Sequence, residues 1–255
     1  MRKIVWRALL AAGSIAALTA AAAQGIELRA GKIIIVADGG FSPTKLPQNR
    51  NAPIELHGFA KFRTVDGTRP SPLTQLVIEF DKHGAVETRG LPVCTQAKLV
   101  ATTTARARKN CEGAIVGKGF GSAVVELPEQ RPIKASSPLT LFNGPRKNGN
   151  PTVLGHAHLD IPAPTTYVVP IEIERIHKGR YGYRTIANFP KIANYYGSPT
   201  YGRLTIGRKW TYKGKQLSYV NARCADGRLQ ARGSVTFKDG SFAKGNFLRP
   251  CQIRK

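Results

Sequence analysis

The chain has 255 residues, with 39 Lys and Arg against 15 Asp and Glu, four Cys and a formal charge of +24. That length can bury a large core, and a hydrophobic fraction of 42% excludes a disordered polycation. The 26 Gly and 17 Pro disfavour a helical bundle.

The N-terminus carries an export pattern. Arg2, Lys3 and Arg7 form a positive segment, Ala8 to Ala22 is almost wholly apolar, and Ala21-Ala22-Ala23 offers small residues to a signal peptidase. The apolar run is shorter than the ~20 residues of a comfortable membrane span. Residues 1–23 are therefore expected to be a signal peptide cleaved near Ala23. The mature chain then has no transmembrane segment and is secreted or held at the cell envelope. Residues 1–23 contain three cations and no acid, so the basic excess belongs to the mature chain.

Lys32 to Val36 reads as a strand, and the Pro- and Asn-rich stretch from Pro43 to Asn51 reads as a surface arm. Ile54 to Val65 and Leu73 to Phe80 alternate as strands do, joined by Asp66-Gly67-Thr68-Arg69-Pro70. The one helical candidate, near residues 103–110, is rich in Ala and Arg, with Thr102 or Thr103 as its cap. Strands are then expected at residues 114–127, 138–142, 152–161 and 167–176. The Pro-bracketed stretch from Pro128 to Pro138 marks a boundary between an N-terminal β-unit, 24–130, and a basic C-terminal β-unit, 131–255. The two units pack in one body. Four short strands, Leu204 to Tyr212, Leu217 to Cys224, Arg228 to Phe237 and Ser241 to Leu248, meet at Lys213-Gly214, Asp226-Gly227 and Asp239-Gly240. They read as a C-terminal β-meander, since Gly accepts positive φ in tight hairpins. The fold class is all-β, an antiparallel β-sandwich with one short helix.

An even number of Cys in an exported chain indicates disulfides. Three pairings are possible. The sequence-local one, Cys94 with Cys111 and Cys224 with Cys251, is favoured, each bond stabilising by roughly 3 kcal/mol. In a flat meander Cys224 and Cys251 stand two strands apart, roughly 9–10 Å, so the tail past Pro250 has to curl inward.

Four segments carry a family resemblance. They are Gly40-Phe41-Ser42-Pro43 with Leu46-Pro47, Gly90-Leu91-Pro92-Val93-Cys94, Lys178-Gly179-Arg180-Tyr181-Gly182-Tyr183, and Cys224-x-x-Gly227-x-Leu229 through Cys251. The chain resembles a group of uncharacterised exported proteins of high-GC Gram-positive bacteria. The resemblance implies secretion and a β-rich body, and it carries over no activity.

Two patterns carry chemistry. On a strand, His156, His158 and Asp160 share one face, and two imidazoles with a carboxylate can bind zinc or iron. The string resembles the His-x-His-x-Asp core of metallo-β-lactamase-like hydrolases, although Ile161 stands where that motif continues with His. The second pattern is charge. Residues 171–255 hold 18 Lys and Arg against four Asp and Glu. Lys213, Lys215, Arg223, Arg228, Arg232 and Lys238 fall on strand faces and turns among many tyrosines, which suits a polyanion. The reading that results is a secreted, non-enzymatic, disulfide-stabilised protein without cofactor. It binds the cell envelope, through an anionic cell-wall polymer, an acidic glycan or another polyanion, and holds nucleic acid only nonspecifically. The alternatives are a secreted metal-dependent hydrolase using His156, His158 and Asp160, and a structural or protein-interaction module.

Overall fold

The computed structural model describes residues 25–254, so the expected signal peptide, 1–23, lies outside the described residues. β1 (Ile26–Ala30) and β2 (Ile33–Ser42) form the first hairpin. The stretch expected to be a surface arm instead contains β3 (Lys45–Pro47), in which Leu46 is fully buried, and β4 (Ala52–Pro53) follows it. β5 (Glu55–Thr64) and β6 (Leu73–Asp81) follow the alternation of the sequence, and β7 (Gly84–Val86) is a short addition. α1 (Thr104–Asn110) starts at Thr103, whose side-chain oxygen accepts from the Arg106 N–H and supplies one of the partners a helix start lacks.

β8 (Ile115–Val125), β9 (Ile133–Lys147), β10 (Asn150–Leu159), β11 (Thr165–Lys178) and β12 (Tyr181–Asn188) run as consecutive antiparallel neighbours. The β9–β10 turn places Asn148 at φ 52° and Gly149 at φ 80°, the pair of left-handed residues a tight hairpin needs. β13 (Gly197–Ile206) then pairs between β5 and β8. β14 (Lys209–Tyr212) and β15 (Lys215–Ser218) form a hairpin, followed by β16 (Val220–Ala222), β17 (Arg228–Phe237), β18 (Phe242–Pro250) and β19 (Gln252–Arg254).

Twelve strands form one sheet in the order β1-β2-β5-β13-β8-β9-β10-β11-β12-β6-β17-β18. The sheet curls like a barrel until its edge strands meet. A Cβ built on Gly245 of β18 would stand 2.7 Å from Ile26 Cδ1 of β1. Past the end of β1, Arg249 Nε donates to the Gly39 carbonyl of β2 at 2.6 Å. Opposite walls thus face each other as sandwich layers do, while the backbone bonding runs continuously around them. The small sheet β4-β16-β7 and the parallel pair β19-β3 sit with the end where β2, β18 and β19 finish.

Strands from both sides of residue 130 share this sheet: β5 bonds to β13, and β6 lies between β12 and β17. The expected C-terminal meander is therefore interrupted. Only β14–β15 and β17–β18 are local hairpins, and β16 pairs with β4 and β7. The reason is visible at Asp226. Its carboxylate is paired with Arg180, in the turn between β11 and β12, so Asp226-Gly227 is a crossover instead of a hairpin turn.

Both disulfides join the sequence-local pairs. Cys94–Cys111 has Cα atoms 5.6 Å apart and Cys224–Cys251 5.9 Å. The Cys224 N–H donates to Pro47 and the Cys251 N–H to Gly227, so the tail curls over the capped end. That end buries Phe41, Leu46, Val116, Leu141, Tyr219 and Leu229 together. The opposite end buries Ile33, Ile35, Phe62, Val235 and Phe237. A third cluster lies outside the curl, where Ala107 of α1 packs with Phe142, Leu154 and the first disulfide.

Among the described residues no helix is long and apolar enough to cross a membrane. The outward strand positions include Lys61, Lys118, Glu172, Arg184, Arg203 and Arg232, whereas a membrane-spanning barrel turns an apolar band outward.

Candidate polyanion-binding face

The six cations singled out by the sequence do not share a face. Lys213 and Lys215 flank the β14–β15 turn, and Lys213 Nζ lies 5.6 Å from the Tyr212 ring centre. Arg223 lies beyond β16, its N–H bonded to the His83 carbonyl. Arg228 opens β17 and Lys238 follows its far end, roughly 30 Å away at ~3.3 Å per strand residue. Lys238 Nζ sits 4.4 Å from the Tyr195 ring centre. Arg232 is already neutralised: it and Arg184 clamp the buried carboxylate of Glu79, and Arg232 also lies over the Tyr181 ring. Burial alone would raise the Glu79 carboxyl, but the bonds from both guanidinium groups outweigh it and hold the group below its ordinary range.

His156, His158 and Asp160 are brought near one another, and their work there is packing. His156 is fully buried, its Nε2 at 3.1 Å from the Thr102 carbonyl, and burial pushes its imidazole below the ordinary value. His158 Nδ1 meets Thr166 Oγ1 at 2.8 Å, and that hydroxyl donates to the same Thr102 carbonyl. Asp160 is exposed, 3.5 Å from His158 Nε2. The two rings therefore hold the loop that leads into α1. Among the described residues, no group of three His, Cys, Asp or Glu side chains is placed to hold a metal ion.

A second polar cluster sits at the capped end. Buried Asp81 accepts from Arg180 Nε at 2.6 Å and from the Gln230 N–H at 2.9 Å. His83 lies against it, Nδ1 3.2 Å from the carboxylate, and burial lowers its imidazole. Arg180 bridges Asp81 to Asp226, and its hydrogen bonds draw the Asp226 carboxyl down to about 2.

The densest outward display lies elsewhere, on β5, β13 and β8. Their register sets Lys61, Tyr201 and Ser122 in one row, Phe59, Arg203 and Phe120 in the next, and His57, Thr205 and Lys118 in a third. These side chains face out because the alternate residues Leu56, Phe62 and Ile206 pack into the two cores. The Arg203 guanidinium lies 6.0 Å from the Phe120 ring centre, and Phe59 and Tyr201 have centres 6.4 Å apart. Phe59 is 38% exposed, high for a phenylalanine on a strand. No carboxylate stands in the three rows. Two border them: Asp38 beside Phe59 is paired with Arg249, and Glu55, two residues before His57, lines a shallow depression with Lys118 and Thr205.

This face was not among the residues singled out by the sequence. The alternation His57, Phe59, Lys61, Arg63 was readable within one strand. The columns from β13 and β8 join it only through long-range pairing. Comparison with protein-family models, curated proteins and solved structures found no match for the chain.

Proposed function

We propose that the protein is an exported, non-enzymatic binder of an acidic glycan or anionic cell-wall polymer. The outer face of β5, β13 and β8 is the contact surface. The observation that carries this reading is the three-row display itself. Lys61, Arg203 and Lys118 offer charge, while Phe59, Phe120 and Tyr201 offer flat apolar area at the spacing of a β-sheet. Anionic groups pair with the cations, and the apolar faces of sugar rings pack on aromatic rings. The excess charge, +24 for the full chain and +21 without residues 1–23, adds long-range attraction for any polyanion. Two disulfides suit a chain that works in an oxidising compartment.

The test is titration of the purified oxidised protein with polygalacturonate across a salt series. Binding should weaken at least tenfold between about 50 and 300 mM salt, because the Debye length shrinks from above ~10 Å to well below it. Phe59→Ala combined with Arg203→Glu should weaken low-salt binding at least tenfold, an order-of-magnitude loss for one stacked ring and one cation. Lys213→Glu with Lys215→Glu should change it little. Failure of the native protein to bind at low salt overturns the reading, as does unchanged binding by the Phe59/Arg203 double variant.

A further inference from the structure

The curl is packed at its two ends and loose between them. Along β2, β9, β10 and β17 the inward side chains are buried near the cap and again near the other end, yet only half-buried midway. Leu204 is the clearest case. It stands in the inward series with Ile206, which packs in the capped-end core, and it pairs with Gly58 on one side and Gly119 on the other. It is nevertheless 37% exposed. A Cβ placed on Gly202, one inward position away, would meet no atom within 4 Å. Across the curl, Ile78 and Phe247 also face inward and stay half-buried.

The geometry accounts for the space. Barrel width grows with strand number, and about eight strands already leave an interior that side chains just fill or that takes one small ligand. Here twelve strands curl together, and glycine occupies several midway positions. The two end cores stop short of this layer, where Gly202 faces open space. Arg249 shares the inward side of β18 with Phe247, and its guanidinium is held at the seam by Asp38 and the Gly39 carbonyl; the other inward residues midway, Leu204, Ile78, Phe247, Leu139 and Val169 among them, are uncharged.

We propose that this midway layer lines an apolar chamber that binds one extended hydrocarbon chain of the kind carried by lipids. Uncharged walls of Leu, Ile, Val and Phe with glycine-made room favour such an occupant, since burying a charge there without a partner is costly. This inference is independent of the outer face.

The test uses N-phenyl-1-naphthylamine, a neutral fluorescent probe that the basic exterior does not attract, with hexadecanol as competitor. The purified oxidised protein should bind the probe saturably at one site per chain, and hexadecanol should displace it. Gly202→Trp and Leu204→Trp, which fill the chamber from one wall, should each weaken binding at least tenfold. The outward change Tyr201→Ala should leave it unaltered. Hexadecanol at about a hundred times its dissociation constant should also raise the melting temperature of the unaltered protein by roughly 5–10 °C. That arm stands even if a tryptophan variant does not fold. Non-saturable binding, no displacement by hexadecanol, no rise in melting temperature, or native-like binding by two folded tryptophan variants overturns the proposal.

Discussion

Arg249 on the last long strand reaches across the seam of the curled sheet and pairs with Asp38 on β2, while its Nε donates to the Gly39 carbonyl. These contacts stand where backbone pairing stops: β1 and β18 are the two edges of the sheet, without a ladder between them. Exposed edges invite pairing with other chains, and here side chains close them. Below Arg249 the closure is apolar, with Gly245 letting β18 approach Ile26 and Leu28. Arg249→Ala should leave Asp38 without its partner in a half-buried site. The expected cost is about 2 kcal/mol, the size of a lost charge-assisted hydrogen bond. In a chain of this length that lowers the melting temperature by roughly 4–8 °C. Arg249→Lys should recover part of the loss. Equal melting of Arg249→Ala and the unaltered protein would show that the seam is held by Ile26 and Leu28 alone.

Local features of the fold were legible in the sequence, and its long-range assembly was not. Thr103 and the Ala/Arg run after it specify α1 because capping and helix propensity act within a few residues. The alternation from Leu229 to Phe237 identifies the inward side of β17, because pleating has period two. Nothing comparable marks which strand lies beside which. β6 is inserted between β12 and β17, more than a hundred residues later in the chain, by pairings that carry no local signature. Arg232 shows the consequence for function. Its place on an alternating strand makes it look like a free outward cation, and the neighbouring Glu79 that neutralises it comes from β6. Leu46 is the converse case, a residue in a Pro-rich stretch that looks exposed until the capped end closes over it.

The two disulfides hold different parts and should fail differently. Their loops, with separations of 17 and 27 residues, predict similar global contributions of about 3 and about 3.5 kcal/mol in the chain-entropy model. The local effects should diverge. With Cys94→Ala and Cys111→Ala, α1 loses its anchor; a seven-residue helix is marginal without tertiary support. Its amides should then exchange fast while the sheet stays protected. With Cys224→Ala and Cys251→Ala, the β19–β3 pair and the capped end should lose protection instead. Hydrogen exchange on the two paired variants separates the effects. Uniform loss of protection in both would mean that each bond acts on the whole molecule through the unfolded chain.

Acid should destabilise the protein in two stages. His83 and His156 are both buried and lowered mainly by that burial. A group whose folded value lies below its unfolded one takes up its proton more readily when unfolded. The contribution of these neutral rings is therefore complete above about pH 6.5 and is lost as pH falls below it. Asp226 acts later. Its bonds to Arg180 bring it from 3.8 to about 2, so its contribution is present above pH 4 and disappears between about 4 and 2. The melting temperature should thus stay level from pH 8 to 7, fall in a first step through pH 6 to 5, and fall again below 4. His156→Gln should reduce the first step and spare the second, because the Thr102 loop that His156 holds is far in sequence from the Arg180 cluster. Asp226→Asn should reduce the second step, and it should also alter the part of the first that His83 carries, because the Asp226 carboxylate acts on that ring. A melting temperature constant from pH 7 to 5 would mean that both buried rings stay neutral, or reach solvent before they charge, and the first step would have to be abandoned.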